Sequence, residues 1–205
     1  MITFPITMMQ DQFCVPIQGL DVIPQIDDND KSEDAVMDTW YRYNFSAMLW
    51  LQSEIGSGRK QINGLQFMFG NTIPSFTRSN ITVKLYHTTD SVIPSSPTTS
   101  LDTQMSGVTD LVTVLDNGTV TIAGSDGAYS TLFTFEENFC YNGVDNLIIQ
   151  VEDRSNTAGT NYSNMWRGLN NGVATNRNCY SRTDVSYASL NPIRDGFRTN
   201  VKLLY

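Results

Sequence analysis

The chain contains 205 residues, carries a formal net charge of −8, and has 17% charged and 11% aromatic residues. Low charge and frequent aromatic residues are typical of a folded domain and unlike a disordered chain. The acidic balance argues against nucleic-acid binding, which needs a basic surface. No stretch approaches the ~18 consecutive apolar residues of a membrane-spanning helix, so no membrane partner is expected.

Residues 1–35 are predicted to form an extended N-terminal arm and linker, followed by a single domain at residues 36–205. The arm holds seven acids and one base, which gives it a net charge of −6. Prolines interrupt its short apolar patches, so the arm offers little to bury by itself. The arm residues expected to contact a neighbouring subunit are Phe4, Ile6, Phe13 and Ile17.

The acidic run that ends the arm has one feature of a calcium loop. Asp28, Asp30 and Ser32 have the spacing of the first three ligands of such a loop. The sixth and twelfth positions, however, hold Glu33 and Thr39, where a calcium loop needs glycine and glutamate. A solvated linker is therefore the preferred interpretation, and no metal site is predicted.

Alternating apolar residues predict short strands along the rest of the chain. Residues 40–51 are predicted as strand, although Met48, Leu51 and Ile55 also lie at helical spacing. Asp116 and Asn117 separate two apolar runs, a pattern typical of a hairpin turn. Strands are predicted at residues 40–51, 61–69, 81–86, 111–115, 118–122, 131–136, 147–151 and 201–205, and long loops at residues 91–107 and 154–200.

The stretch at residues 139–153 is predicted as a turn followed by a central strand. Asn142-Gly143 is a turn signal, because both residues tolerate positive φ. Leu147, Ile149 and Val151 then alternate on one face, while Ile148 points the other way, so both faces are expected to be covered. Eight or nine such strands without a long helix predict an all-β fold, an antiparallel two-sheet sandwich of jelly-roll type.

The sequence contains no catalytic signature, so the chain is not expected to be an enzyme. His87 is the one histidine and is interpreted as a strand-end residue, since neither a second metal ligand nor a Gly-x-Ser-x-Gly motif accompanies it. Neighbouring carboxylates at Glu136-Glu137 and Glu152-Asp153 would face opposite sides of a strand, which is poor geometry for a glycosidase pair. They are predicted to be solvated strand ends, and no cofactor is expected.

The three cysteines do not form a disulfide framework. Cys140 lies among apolar strand residues and is predicted to be a buried thiol, with a Cys140–Cys179 bridge as the alternative. The first six residues lack the basic region and long apolar segment of a secretory signal. Synthesis and assembly in a cytoplasm are therefore expected.

The region at residues 154–200 combines aromatic residues with six arginines, a pairing that makes good interface anchors. Three interpretations are open: the aromatic residues complete the core, they form a protein interface, or they stack on a glycan, in which case Trp166→Ala should reduce glycan binding. The arginines could also receive the acidic arm of a neighbouring copy. The candidate interface or ligand-binding residues are Tyr162, Trp166, Arg167, Arg177, Tyr180, Arg182 and Tyr187.

Five patches in order resemble a β-sandwich module of secreted and surface proteins of Bacteroidetes and of proteins of their phages. The first ends in Ser-Glu-Ile-Gly, the fourth has the form Phe-x-Tyr-Asn-Gly, and the fifth has threonine where the family usually has proline. The resemblance covers residues 40–205 and leaves out the arm. The patches lie at residues 43–56, 62–67, 81–89, 139–149 and 198–205.

The resemblance implies a structural scaffold and carries no catalytic residues. It implies a bacteriophage virion structural protein, such as an auxiliary capsid or head-decoration subunit, a head fibre, or a tail or neck component. The expected partners are other virion proteins and further copies of the chain, and the alternative is a carbohydrate-binding, adhesin-like module that holds host glycan. Deleting residues 1–35 is then expected to abolish assembly and leave the body folded.

Overall fold

The computed structural model describes residues 14, 20–22, 30–32, 36–130, 133–170 and 176–205. None of the helices in these ranges is both long and apolar enough to cross a membrane. Among the described residues, the helical segments are α1 (Gln52–Ile55) and two single 3₁₀ turns, Leu101–Thr103 and Tyr187–Ser189. The strands are β1 (Leu20–Val22), β2 (Asp30–Ser32), β3 (Tyr43–Trp50), β4 (Lys60–Phe67), β5 (Ile73–Thr88), β6 (Thr109–Gly124), β7 (Phe133–Tyr141), β8 (Asn146–Asp153), β9 (Trp166–Asn170), β10 (Asn178–Thr183), β11 (Ile193–Asp195), β12 (Phe197–Thr199) and β13 (Val201–Leu204).

Two antiparallel sheets form a jelly roll. One sheet has the strand order β1-β13-β4-β7, and the other has β11-β10-β3-β8-β5-β6. If the eight strands β1, β3–β8 and β13 are counted along the chain, these sheets contain the orders 1-8-3-6 and 2-7-4-5. Such paired four-stranded orders are those of a double Greek key. The predicted fold class is therefore confirmed.

Four further strands lie between β8 and β13, where a long loop was predicted. β10 and β11 extend the larger sheet beyond β3, and β9 lies between β12 and β2 in a third, three-stranded sheet. The loop prediction was wrong because these strands are only three to six residues long and mostly polar, so they show no alternation. Their backbone groups are satisfied by neighbours that are distant in sequence.

β8 is central, and both of its faces are buried as predicted. Leu147, Ile149 and Val151 belong to the main core between the two sheets. Ile148 belongs to a second cluster on the outer face of the larger sheet, with Leu49 and other apolar residues. Residues of the 91–107 loop cover that cluster, which explains why this loop is apolar in places without periodicity. The loop residues in the second cluster are Ile93, Leu101 and Met105.

β5 and β6 are long strands with several register shifts between them, and the hairpin predicted at Asp116-Asn117 was wrong. β6 continues through this point and pairs with β5 on both sides, although the register shifts between Ile81 and Val83. Asn80 on β5 has φ of 58°, and Asn117 on β6 has φ of 49°. Asparagine tolerates this left-handed conformation, which produces a bulge here where the sequence pattern suggested a chain reversal.

The N-terminal region is attached to the sandwich at three described places. Cys14 forms a disulfide with Cys140 on β7, with 5.8 Å between the Cα atoms. β1 pairs with β13, and β2 pairs with β9. Deleting residues 1–35 would remove these contacts, so the body is expected to lose stability with the arm, contrary to the sequence-based expectation. The predicted arm contacts Phe4, Ile6, Phe13 and Ile17 lie outside the described residues.

The disulfide corrects the cysteine predictions. Cys140 is not a thiol, and its partner is Cys14 instead of Cys179. Cys179 is a free, buried cysteine in the outer-face cluster. Burial raises the pKa of its thiol to about 12, so the thiol stays protonated near neutral pH. Asp28 of the calcium pattern lies outside the described residues, while Asp30 and Ser32 form part of β2.

Two glycines that face each other give a stringent test of the predicted turn at Asn142-Gly143. Gly143 has φ of 76°, and a Cβ atom there would lie 2.5 Å from the backbone of Gly58. Gly58 has φ of 93°, but a Cβ atom there would meet nothing within 4 Å. In both alanine variants, the left-handed backbone conformation should lower the free energy of unfolding by about 1–2 kcal/mol. Gly143→Ala is expected to cost roughly 1–3 kcal/mol more, because overpacking adds to that penalty.

Urea denaturation of the two variants checks this expectation, with Gly58→Ala as the matched control. Equal losses of unfolding free energy would show that the close approach of the two backbones is absent.

Candidate functional site

Residues of several of the sequence patches meet at one end of the sandwich, where they make hydrogen bonds and ion pairs with one another. Glu54 of the Ser-Glu-Ile-Gly patch accepts two hydrogen bonds of 2.8 Å from Arg198 of the closing patch and one of 2.9 Å from Arg177. Arg198 also lies over the Trp50 ring at 4.2 Å. Burial alone would raise the pKa of Glu54, but the hydrogen bonds and charge of Arg198, together with the Leu51 N–H and the charge of Arg177, outweigh it and lower that pKa.

The turn at residues 142–145 is fastened to the same end. The Asn142 side-chain oxygen accepts hydrogen bonds from the backbone N–H groups of Val144 and Asp145 at 2.9 and 3.0 Å. The N–H of Gln52, at the start of α1, donates to the side-chain oxygen of Asn146 at 2.8 Å. These polar groups are engaged in forming a turn and joining it to α1, which is a structural role.

His87 is fully buried next to this turn and is poorly placed to act as a base. Its Nε2 accepts a hydrogen bond of 3.0 Å from the backbone N–H of Asn142, and its Nδ1 lies 3.5 Å from a carboxylate oxygen of Asp110. The nitrogen that would take a proton from a nucleophile is therefore occupied. Burial lowers the pKa of His87 more than the Asp110 carboxylate raises it.

This lowered pKa predicts a loss of stability in mild acid. Below about pH 6.5 the unfolded chain gains a proton on His87 that the folded chain resists. The free energy of unfolding should therefore fall as the pH drops below that value, down to the folded-state pKa. His87→Gln removes this titration, so its free energy of unfolding should change less with pH between 5 and 7.5. Chemical denaturation at a series of pH values measures both slopes, and identical slopes would contradict the assignment.

Glu152 and Asp153 are buried, so the prediction that they are solvated strand ends was wrong. Glu152 lies on the outer face, where it forms a salt bridge of 2.8 Å with Lys84 and another of 2.6 Å with Arg154. Asp153 lies on the inner face, 3.5 Å from Arg78. They face opposite ways as predicted, and each charge has its own partner.

The other predicted carboxylate pair behaves differently. Glu136 and Glu137 are exposed, although they lie within β7 and not at its end.

Among the described residues, no group of three or more histidine, cysteine or acidic side chains could hold a metal ion.

The arginines of the 154–200 region all have partners within the chain, which leaves little free positive charge for a neighbour's acidic arm. Five of them pair with carboxylates, and Arg194 donates to the backbone oxygen of Ile93 at 3.4 Å. Apart from Arg154–Glu152, these pairs link the region to parts of the chain that are distant in sequence. The carboxylate pairs are Arg154–Glu152, Arg167–Asp126, Arg177–Glu54, Arg182–Asp38 and Arg198–Glu54.

The predicted aromatic candidates lie in different environments. Trp166 is fully buried, is stacked on Phe69 at 5.4 Å, and donates from Nε1 to the backbone oxygen of Met37 at 2.9 Å. It is a core residue and cannot contact a glycan. Tyr187 packs under the guanidinium of Arg154.

Tyr180 and Tyr162 are the two other tyrosines in that set. Tyr180 is partly buried on β10, where it pairs with Ser46 of β3. Tyr162 is also partly buried, and its ring stacks on that of Phe76 at 5.9 Å. Tyr162 lines a cleft.

That cleft lies at the opposite end of the larger sheet from α1 and has a volume of about 190 Å³. Its floor is the buried guanidinium of Arg78, which donates to the hydroxyl of Ser155 at 2.8 Å and to the backbone oxygens of Thr39, Tyr41 and Thr157. Arg78 thereby joins the segment at residues 39–41 to the segment at residues 155–157. The lining residues are Thr39, Phe76, Thr77, Arg78, Thr157, Gly159, Thr160 and Tyr162.

Sequence reasoning identified only Tyr162 among these lining residues. Phe76 and Arg78 lie in a part of β5 that was not assigned to a strand, and Thr39 and Gly159 meet from positions 120 residues apart. An aromatic residue followed two positions later by arginine was the available signal, but such spacing is common on strands.

Comparison with protein-family models, with curated proteins and with solved structures finds no match for this chain.

Proposed function

We propose that this chain is a non-enzymatic structural protein of a bacteriophage virion that acts by protein–protein assembly. Its place would be as an auxiliary capsid or head-decoration subunit, a head fibre, or a tail or neck component. The observation that carries the proposal is the jelly-roll strand order, an architecture that recurs in viral capsid domains. The resemblance of five sequence patches to modules of Bacteroidetes phages supports the same assignment.

The chemistry of the described side chains favours a scaffold over an enzyme. The single histidine has its Nε2 occupied by a backbone N–H. Glu54, Glu152 and Asp153 are each held by arginine or lysine inside the fold. Groups that are tied in this way stabilise a structure and are poorly available to a substrate.

Assembly would use the sheet edges. β1 ends the four-stranded sheet and β11 ends the larger one, and each has three residues. A strand of a neighbouring subunit can pair with such an edge, which is a common mode of recognition. Ile193 of β11 is 53% exposed and would be covered by that contact. The partners would be further copies of the chain and other virion proteins.

The disulfide fits a protein made in a host cytoplasm and then released. Cytoplasmic thiols stay reduced, whereas disulfides persist at virion surfaces. Cys14–Cys140 would accordingly form or persist in the free particle, where it fastens the N-terminal region to β7.

Mass spectrometry of purified particles tests the proposal. The chain should be present at a fixed ratio to the major capsid protein across gradient fractions. Digestion without reductant should yield the linked peptides that contain Cys14 and Cys140. Absence of the chain from particles, or a ratio that varies between fractions of intact particles, would overturn the virion assignment.

A further inference from the structure

We propose that the cleft lined by Phe76 and Tyr162 is a binding site for one neutral sugar residue, the terminal unit of a glycan. This activity goes beyond assembly and does not depend on it. The cleft volume of about 190 Å³ is below the ~300–1,000 Å³ of drug-sized pockets, so it suits a single ring.

The aromatic pair gives the cleft an apolar wall. The two rings are 5.9 Å apart, with an interplanar angle of 23°, and both are partly exposed. The faces of aromatic rings carry negative charge, so they attract the polarised C–H groups of a sugar ring. Neither ring belongs to the buried core, although both pack against its edge.

The rest of the rim offers short polar groups at the right scale for sugar hydroxyls. Thr157 and Thr160 are exposed residues that line the cleft. The Thr160 hydroxyl can both donate and accept a hydrogen bond, and the Thr157 hydroxyl, which donates to the backbone oxygen of Ser155, can still accept one. The hydroxyl of Thr77, also a lining residue, is bonded to that of Thr121 instead. A sugar ring with one apolar face and several hydroxyls matches a site with one aromatic wall and a threonine rim.

The charges around the cleft favour a neutral ligand. Arg78 is the one charged side chain among the described lining residues, and its N–H groups are directed to backbone oxygens and to Ser155. Asp153 lies 3.5 Å from its guanidinium and offsets the positive charge. The chain as a whole carries −8 and would repel an acidic sugar.

The cleft is held in shape before any ligand binds. The N–H of Gly159 donates to the backbone oxygen of Thr39 at 2.8 Å, and the Thr39 hydroxyl donates to the backbone oxygen of Thr160 at 2.6 Å. A Cβ atom on Gly159 would lie 3.0 Å from the Thr39 oxygen, so glycine permits this close approach. A preformed site loses less conformational entropy on binding.

Saturation-transfer NMR with the intact chain tests the site. The probes are the methyl glycosides of glucose, galactose, mannose, fucose and N-acetylglucosamine, with N-acetylneuraminic acid as the acidic comparison. At least one neutral glycoside should bind, with a dissociation constant on the order of 1 mM for so small a ligand.

Three variants localise the binding. Tyr162→Ala is expected to weaken it by about tenfold, through loss of the stacking surface. Tyr162→Phe keeps the ring and should retain most of the affinity. Val144→Ala, at the exposed turn at the other end of the sandwich, should leave affinity unchanged and serves as the matched control.

Thermal unfolding checks that each variant is folded. If Tyr162→Ala fails to fold, Thr160→Val replaces it, because this change removes one rim hydroxyl and keeps the backbone oxygen that Thr39 uses.

Several outcomes would overturn the sugar site. They are the absence of transfer from every neutral glycoside, preferential binding of the acidic sugar, and binding that Tyr162→Ala or its substitute leaves unchanged. None of these outcomes alters the particle-based test of the virion assignment, so the two proposals fail separately.

Discussion

Replacing Trp166 by alanine is expected to lower the free energy of unfolding by about 3–5 kcal/mol, the usual cost of removing a large buried aromatic side chain. The indole is fully buried, packs between Phe69 and Phe67, and donates its N–H to the backbone oxygen of Met37. Truncation would leave a large cavity and an unpaired buried oxygen. β9 is held between β2 and β12, so the surrounding residues cannot move in to fill the cavity. Relaxation of the structure should therefore offset little of the lost stability.

Trp40→Ala is the matched control for that experiment. Trp40 is 52% exposed and contributes no indole to the core, so its loss should cost less than about 1 kcal/mol, as for most surface changes. Urea denaturation of both variants measures the difference. A stable Trp166→Ala protein would contradict the core assignment and would restore Trp166 as a candidate glycan contact.

Replacing Arg78 by methionine is expected to cost about 3–5 kcal/mol, because it leaves the buried carboxylate of Asp153 without its charge partner. Their side chains are only 2% and 0% exposed, and the closest N–O distance is 3.5 Å. The variant also removes the arginine donor from the backbone oxygens of Thr157 and Thr39, of which Thr39 keeps the N–H of Gly159. The exposed Lys31–Asp126 pair is the control, since Lys31→Ala should cost no more than about 1 kcal/mol.

Two measurements show whether charge is the cause. The double variant Arg78→Met with Asp153→Asn should recover part of the loss, since no unpaired charge then remains. Burial already raises the pKa of Asp153, outweighing the effect of Arg78, and removal of Arg78 should raise it further. Over the pH range between these two pKa values, Asp153 is protonated in the folded variant and ionised in the unfolded chain. The free energy of unfolding of the variant should therefore come closer to that of the wild type as the pH falls. A difference in free energy of unfolding between variant and wild type that stays constant with pH would contradict this explanation.

The parts of the fold that the sequence predicts well are those with local alternation. Leu147, Ile149 and Val151 on one face of β8 and Ile148 on the other require only the two-residue period of a strand. The jelly-roll class follows from a string of such strands. A turn and a bulge use the same residues, however, so Asn117 could not reveal whether the chain reverses or continues.

The parts that the sequence could not predict depend on contacts between distant residues. The salt bridge between Glu54 and Arg198 joins positions 144 residues apart. No local sequence pattern indicates that this arginine pairs with a carboxylate of the same chain. Trp166 likewise looks like an interface anchor until the strands around it are placed. The cleft at Phe76 and Tyr162 is assembled from three separate segments, so its lining could be recognised only in three dimensions.

The pairing of β1 with β13 has a consequence for how the protein reaches this fold. Leu20 lies opposite Leu204, so the four-stranded sheet cannot be completed until both of these strands, which are distant in sequence, have been synthesised. Pairings of such long range give a high contact order, and loop-closure entropy then slows folding. Until β13 is made, the edge of β4 that pairs with it stays open and is a site where nascent chains could associate wrongly. Slow folding is therefore expected.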